Sequence, residues 1–425
     1  MAWSFAELLL KDAPLSDAIA AAAIPRLDAF GTRGLANLAW AWSALQGSDG
    51  PLLAAIAEAA IPLLRQPLAS TSGTGSSGGL AEELGTTSGP TAPAPAGPDL
   101  SESRAILALV EAFADAPEPL RQPLMAAAEA ALARHAARLD GDAAGSPSAG
   151  STLPVGSPSG AQEPRVLLEL PHLRVLWKPP GWTVAVGNEG RRLPFDSPAA
   201  GAGAGGEMQH WLAQRFGAAE PLTREEGADH GIAHRLDRET SGALLCARDF
   251  HGHFAARLAF AAGRVRKEYI CLCRGLLPPA PALLEQPLRT LYRHGMKWRS
   301  EVSAVGRPSL TELQAVVHIR HHEGHVSLAS VRLRTGRLHQ IRAHLAELGH
   351  SLVGDAAYGG CTPTWCPRIF LHAFNLGVGL PEGSLAVRSD LPADLREALA
   401  GLAVADARAR AAVLERADGP RPAGA

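Results

Sequence analysis

One carboxylate in the middle of the sequence lies close to two arginines and could act as a nucleophile. Asp237 falls in the phrase His234-Arg-Leu-Asp-Arg-Glu-Thr-Ser-Gly, with Arg235 and Arg238 close by. The short apolar run that follows is typical of a buried strand, so Asp237 is predicted to lie in a loop that leads into the core. Neighbouring guanidinium groups favour an ionised carboxylate, the form that a carboxylate nucleophile needs. The alternative is a purely structural Asp–Arg network in a turn.

A second candidate position lies on a predicted strand. The segment Arg264-Val-Arg-Lys-Glu-Tyr-Ile-Cys-Leu-Cys alternates polar and apolar residues. This alternation predicts a strand with one face in water, and Lys267 and Tyr269 would share a face. Tyr269 could stack on a base, exchange a proton or simply pack in the core.

The third candidate segment, residues 330–345, joins a strand to a helix. Alternating apolar and Arg residues predict the strand, Gly336 ends it, and apolar residues three and four apart predict the helix. Arg337, His339 and Arg342 fall in the first turns of this helix, where backbone amides attract anions. Phosphate or a carboxylate is therefore the expected ligand. A solvated basic face is the alternative interpretation.

A metal site is one alternative interpretation of the polar residues. The chain is rich in His and Cys at His251, His253, His318, His321, His322, His325, Cys271, Cys273, Cys361 and Cys366. Their spacings fit no standard zinc module, and Cys271 and Cys273 alternate with apolar residues as strand positions do. The sequence therefore predicts no metal.

Taken together, the segments resemble the catalytic core of the RluA-type RNA pseudouridine synthases. The phrase around Asp237 is similar to the catalytic motif of that family, and four further segments match it in the same order. They are Lys178-Pro-Pro-Gly, Lys267-Glu-Tyr, Thr335-Gly-Arg-Leu-His-Gln-Ile-Arg-Ala-His with Gly354-Asp-Ala-Ala-Tyr-Gly, and Leu371-His-Ala. The resemblance implies an α+β fold with a central mixed, largely antiparallel sheet, flanking helices and an RNA cleft across its middle.

The resemblance also implies roles for individual residues. Asp237 would be the nucleophile, Tyr269 would stack on the target base and take part in proton transfer, and Arg342 would pair with Asp237 as the most desolvated ion pair of the site. Arg235 would displace the base-paired partner or hold the flipped nucleotide, as an enzyme acting on a base within a helix requires. The predicted RNA-binding residues are Arg235, Arg238, Lys267, Arg337, His339 and Gln340. Neither a cofactor nor a metal is implied.

The charge distribution fits a polyanionic partner for this part of the chain. Residues 164–378 hold 26 Lys and Arg against 18 Asp and Glu, whereas the remaining residues hold 14 against 24. Most of the positive charge is Arg, whose planar group suits phosphate and stacks on bases. We therefore expect RNA as the partner, either ribosomal or transfer RNA. A binding protein without catalysis is the rival interpretation.

Composition divides the chain into six regions. We predict an α-helical repeat region (1–66), a disordered linker (67–100), a helical segment (101–140), a second linker (141–163), the catalytic domain (164–383) and an Ala/Arg-rich tail (384–425). Two pairs of similar segments, each pair 37 residues apart, indicate repeats in the first region. They are Met1–Ala6 with Leu38–Ser43, and Ala22–Pro25 with Ala59–Pro62. The phrase Leu35-Ala-Asn-Leu-Ala-Trp-Ala-Trp resembles octotricopeptide-like helical repeats. An Ala-rich bundle or docking surface remains the alternative.

The remaining expectations concern location and assembly. Five cysteines do not form a disulfide framework, which favours a reducing compartment, and no apolar run is long enough to cross a membrane. The sequence predicts a soluble, intracellular protein that acts as a monomer, without a membrane or small-molecule cofactor. Its N-terminus does not distinguish the cytosol from a plastid or mitochondrion.

Overall fold

The computed structural model describes residues 13–46, 50–66, 98–143, 162–184, 206–293, 296–321 and 324–402. The strands in these ranges are β1 Arg165–Glu169, β2 Leu173–Lys178, β3 Ser241–Ala247, β4 Val265–Arg274, β5 Ala282–Leu284, β6 Leu288–Arg293, β7 Met296–Val302, β8 Thr311–His321, β9 Gly324–Leu333, β10 Leu371–Leu380 and β11 Gly383–Arg388. The helices are α1 Ala13–Ala23, α2 Thr32–Gln46, α3 Pro51–Arg65, α4 Ser101–Ala112, α5 Glu118–Ala143, α6 Met208–Phe216, α7 Phe250–Ala261, α8 Gln340–Glu347 and α9 Ala393–Ala400. Short 3-10 helices cover Ile24–Ala29, Pro221–Arg224, Glu226–Gly231 and Ala356–Tyr358.

A central sheet organises the molecule, with strand order β1-β2-β3-β10-β4-β9-β8-β5 and β11 paired to β10. Strands β6 and β7 form a separate hairpin. Within the described residues, only β3 and β10 pair in parallel, and all other strand pairs are antiparallel. The predicted mixed, largely antiparallel sheet with flanking helices is therefore confirmed.

Strand β4 runs through the middle of this sheet and differs from its prediction. Tyr269, Cys271 and Cys273 face one apolar cluster, and Ile270 and Leu272 face another. From Glu268 to Cys273 both faces are buried, so the predicted wet face is limited to the start of the strand. Polar alternation at the start was extrapolated along the strand, but apolar residues fill both faces once β4 passes between β10 and β9.

Helices α4 and α5 pack against the sheet domain. A continuous apolar cluster includes Leu109 of α4, Leu132 of α5 and Phe254 of α7. The ring of His135 stacks on Phe254 at 5.6 Å between centroids, and Arg104 donates a hydrogen bond to the Gly227 carbonyl at 2.7 Å. Residues before the predicted second linker thus share a core with the sheet domain.

One carboxylate from α5 binds the start of α7. Asp140 accepts hydrogen bonds from the backbone amides of Phe250 at 2.9 Å and His251 at 3.1 Å. The first amides of a helix have no partner inside the helix, so this carboxylate supplies what a capping side chain would.

We expect Asp140→Ala to lower the free energy of unfolding by about 1–2 kcal/mol, as for loss of a helix cap. Urea denaturation followed by circular dichroism would measure the change. Gln122→Ala, at an exposed position on the same helix, is the control. An unchanged midpoint in Asp140→Ala would show that this contact does not stabilise the assembly of helices and sheet.

The observed elements also shift two predicted boundaries. The predicted end of the catalytic domain at residue 383 falls on the first residue of β11, which pairs with β10, and α9 then packs on the sheet through Leu395 and Leu399. The 384–425 region is thus part of the domain as far as it is described, to residue 402. Helix α5 extends to Ala143, and residues 67–97, 144–161 and 403–425 lie outside the described part.

The predicted repeat meets a mixed outcome. Residues 1–6 lie outside the described part of the chain, so the first match is untested. In the second match, Ala22–Pro25 spans the end of α1 and the start of a 3-10 helix, whereas Ala59–Pro62 lies within α3. The described residues of the region are helical as predicted, but these four residues adopt different local structures.

None of the described helices is long and apolar enough to span a membrane.

Candidate active site

Asp237 lies in a tight turn just before β3. The Thr240 amide donates to the Asp237 carbonyl at 3.0 Å, which closes the turn. Buried His234 fixes its first end, because its Nε2 accepts from the Leu245 amide at 3.0 Å. Burial, together with the charge of Lys267, lowers the pKa of His234 to about 3, so the ring is neutral and can accept this bond. The turn therefore projects Asp237 from a rigid base.

Arg342 contacts the Asp237 carboxylate from α8. Its Nη1 lies 3.2 Å from Asp237 Oδ2, and the two side chains are 7% and 15% exposed. The predicted pair is therefore present in the structure. The side chain of Asp237 is therefore not fully buried, as a group that reacts with a bound molecule must be reachable.

Arg342 forms a more buried ion pair with Asp355 than with Asp237, the partner predicted to form the most desolvated pair of the site. Asp355 is fully buried and accepts two bonds from Arg342, from Nε at 2.7 Å and from Nη2 at 2.9 Å. Burial alone would lower the pKa of Arg342, but hydrogen bonds and charge from Asp355, together with Asp237, raise it above its usual value. Asp355 thus fixes the guanidinium plane, and Arg342 presents its remaining nitrogen to Asp237.

The ring of Tyr358 lies beside His339 and Arg342. The Tyr358 hydroxyl lies 3.3 Å from His339 Nδ1, and it donates to the Ser300 carbonyl at 2.9 Å while accepting from the Ser300 amide at 2.8 Å. His339 Nε2 is 3.8 Å from Asp237 Oδ2. Burial lowers the pKa of His339 to about 4, so at neutral pH this contact joins a neutral ring to the carboxylate.

Tyr269 lies in the apolar floor next to Asp237. Its side chain is buried, and burial together with the negative charge of Asp237 raises the pKa of its hydroxyl well above the usual value. The phenol therefore stays protonated at neutral pH. It can donate a proton or hydrogen bond, but it is not an ionised base.

Buried Lys178 holds the turn from the opposite side. Its Nζ donates to the carbonyls of Pro179, Trp182 and Arg238 at 2.8, 2.9 and 3.0 Å. Burial lowers the pKa of Lys178 to about 7, although nearby Glu239 and Asp237 favour its charged form. The Lys178-Pro-Pro-Gly segment therefore binds the backbone beside the candidate nucleophile.

The predicted RNA-binding residues fall into distinct settings. Arg238 is exposed, and its Nε donates to the Gly181 carbonyl at 3.3 Å. Arg337 donates to the Pro308 carbonyl at 3.2 Å. Burial and the charge of Arg337 lower the pKa of Lys267 to about 8. Arg235 is half-buried beside Asp237 in sequence, and His339 faces the carboxylate as described.

Gln340 does not fit its predicted role. It is 2% exposed, and its amide oxygen accepts from the Thr335 hydroxyl and the Arg337 amide, while its nitrogen donates to the Leu310 carbonyl and the Thr311 hydroxyl. All four hydrogen-bonding positions of the amide are occupied within the protein. Gln340 therefore holds the loop before α8 to β8 and has no position left for RNA.

Three residues of this site were not predicted as site residues. Asp355, Tyr358 and Lys178 all lie in segments that the sequence comparison had singled out as motifs. The available signal was their place in those motifs, because no local pattern links Asp355 to Arg342 across 13 residues. In the described ranges, no group of three or more His, Cys, Asp or Glu side chains could hold a metal ion.

Comparison with known proteins agrees with this arrangement. The family model described as RNA pseudouridylate synthase matches residues 172–347. An uncharacterised RNA pseudouridine synthase of Zymomonas mobilis is 33% identical over 163 residues, which is 38% of this chain and 73% of that protein. The chain belongs to the RNA pseudouridine synthase family.

Two further relatives of the pseudouridine synthase family are similar over shorter shares. An uncharacterised RNA pseudouridine synthase of Mycobacterium bovis is 36% identical over 180 residues, 40% of this chain and 55% of that protein. The protein named ribosomal large subunit pseudouridine synthase D of Vibrio vulnificus is 35% identical over 131 residues, 31% of this chain and 38% of that protein. The chain thus spans about half the length of the mycobacterial relative. The family match includes Asp237, Tyr269 and Arg342 but ends before Asp355.

Proposed function

We propose that this chain is an RNA pseudouridine synthase of the RluA type, with Asp237 as its nucleophile. The observation that supports it most is the geometry around Asp237, whose carboxylate is partly accessible and held 3.2 Å from Arg342. Arg342 is in turn fixed by fully buried Asp355. A carboxylate that is oriented by a fixed cation and not fully buried is suited to form a transient covalent bond.

The proposed reaction moves the uracil of one uridine from an N–C to a C–C link. The carboxylate of Asp237 forms a transient bond to C1′ of the nucleotide as the N1–C1′ bond breaks. The detached uracil rotates in the site and bonds to C1′ through C5, which releases the carboxylate. C5 then loses its proton and N1, which left with the electron pair of the broken bond, takes one up, so the product is an isomer of the substrate and no redox partner is required.

The surroundings of the site support RNA as substrate. Residues 164–378 carry an excess of Lys and Arg, and Arg238 is exposed. We propose Arg235, Lys267, Arg337 and His339 as further contacts to the flipped nucleotide or its phosphates. Because one relative is named for the large ribosomal subunit, ribosomal RNA is the first substrate to test and transfer RNA the second.

We further propose that the N-terminal helices are a remnant of octotricopeptide-like repeats and that they no longer contact RNA. The described residues of the predicted repeat region, 13–46 and 50–66, carry 3 Arg and no Lys against 3 Asp and Glu, so they offer phosphate no excess of positive charge. Helices α2 and α3 pack instead in one apolar cluster with α4 and α5. We also propose a monomer in a reducing intracellular compartment, since all five cysteines are free.

The test is release of tritium from RNA labelled at uridine C5. Ribosomal and transfer RNA would be transcribed with the label at C5 or, as a control, at C6. The proposal predicts release only from the C5-labelled RNA and a matching count of pseudouridine in the digested product. Salt-sensitive RNA binding without release from either RNA would instead favour a non-catalytic binder.

Tyr269→Phe separates the two roles proposed for Tyr269. The variant keeps the ring for stacking and removes the hydroxyl. We expect kcat to fall by roughly 100-fold, as for loss of one proton-transfer group, with KM little changed. Steady-state tritium release would measure both constants, and Tyr292→Phe, on an exposed tyrosine, is the control. An unchanged kcat would leave Tyr269 with a packing or stacking role alone.

A further inference from the structure

The carbonyls of the two residues after Asp237 are each bound by a different buried side chain. Lys178 binds the Arg238 carbonyl, as described above. The next carbonyl, of Glu239, accepts from Arg368 Nη1 at 3.0 Å. Arg368 is 8% exposed and lies in the loop before β10. The backbone that leaves Asp237 is therefore fixed on one side by β2 and on the other by the loop before β10.

Arg368 also starts a chain of hydrogen bonds with a defined direction. Its Nη2 lies 3.2 Å from the Ser241 hydroxyl, which lies 2.9 Å from His372 Nδ1. His372 Nε2 lies 2.9 Å from the Ser389 carbonyl, so Nε2 must donate and Nδ1 must accept. Ser241 then donates to His372 and accepts from Arg368. The Ser241 hydroxyl is thus held between Arg368 and His372, which fixes the first residue of β3.

The charge of Arg368 is balanced from the C-terminal helix. Asp394 of α9 accepts from Arg368 Nε at 2.5 Å and from Nη2 at 3.2 Å. The bidentate contact orients the guanidinium plane, so that Nη1 faces the Glu239 carbonyl. Arg368 and Asp394 both lie beyond residue 347, where the family match ends.

We propose that Arg368, oriented by Asp394, is a positioning residue that sets the direction in which Asp237 projects. The proposal rests on the proposed function for its catalytic readout. Arg368 does not touch the carboxylate of Asp237. It acts by holding the peptide two residues later, and α9 thereby becomes part of the support of the active site. A displacement of a reacting group by about 1 Å can cost 100-fold in rate.

The test compares Arg368→Met, Arg368→Lys and Asp394→Asn with wild type. The control is Arg396→Met, since Arg396 is an exposed residue on α9, the helix that carries Asp394. We expect kcat for tritium release to fall by roughly 100-fold in Arg368→Met with KM within about twofold. Arg368→Lys should recover part of the loss, because it restores the charge without the planar fork. Arg396→Met should match wild type. A kcat of Arg368→Met within about threefold of wild type would overturn the proposal.

Hydrogen exchange gives a readout that does not depend on activity. The amide of Thr240 is bonded to the Asp237 carbonyl, and its exchange should accelerate in Arg368→Met and Asp394→Asn but not in Arg396→Met. If wild type releases no tritium from any RNA, the proposed function fails, and this exchange alone decides the positioning role. If Arg368→Met does not fold, Asp394→Asn and Ser241→Ala decide it by the same two measurements. Unchanged exchange in both would overturn it.

Discussion

Asp237→Asn is expected to stop tritium release from C5-labelled RNA, with a fall of roughly 10⁴-fold or more in kcat, as for loss of a catalytic nucleophile. The amide is nearly the same size as the carboxylate and can still accept from Arg342, so the turn should keep its structure. It cannot form the covalent bond that the proposed reaction requires. Single-turnover assays with enzyme in excess would measure the rate, and filter binding would confirm that RNA affinity is retained.

Asp115→Asn is the matched control, because Asp115 is an exposed carboxylate of the N-terminal helices. It should leave both rate and RNA affinity unchanged. Substantial release by Asp237→Asn, in protein free of wild-type contamination, would show that another group is the nucleophile.

Arg342→Met is expected to have the largest effect on stability. It leaves the fully buried carboxylate of Asp355 without its cation, and breaking a buried ion pair by removing one partner costs about 3–5 kcal/mol. It also removes the contact to Asp237, so activity should be lost as well. Urea denaturation would give the change in the free energy of unfolding, with tritium release measured well below the unfolding midpoint.

A double variant separates the two effects of this change. Asp355→Asn in the Arg342→Met background removes the unpaired charge, so it should recover part of the lost stability. It should not recover activity, since the Arg342 contact to the Asp237 carboxylate is still absent. Recovery of activity in the double variant would show that Arg342 serves only to neutralise Asp355.

The sequence motifs predicted which residues meet at the candidate site better than they predicted the residues that hold them in place. Asp237, Tyr269 and Arg342 come from three separate segments, and their ordered motifs were enough to predict that they meet. The bidentate contact of Asp355 could not be predicted, because it depends on how the loop after α8 folds back onto that helix. For the same reason Gln340 was assigned to RNA, although its amide is used within the protein.

The fold was predictable where local patterns decide it. The strand at β2 and the strand-to-helix passage at α8 follow from apolar spacing and glycine. The burial of both faces of β4, the pairing of β11 and the packing of α4 and α5 on α7 depend on contacts distant in sequence. Composition marked the low-complexity regions as boundaries, yet the ordered segments on either side of one of them share a core.

The shared core has a consequence for the order of events during protein synthesis. The apolar surface formed by Leu109, Leu132 and their neighbours emerges from the ribosome more than a hundred residues before Phe254, against which it packs. A domain that is translated early but completed late exposes apolar surface in the interval, and such surfaces promote aggregation. The nascent chain should therefore engage chaperones until α7 has been made, and slowing translation between residues 143 and 250 should lower the yield of soluble protein.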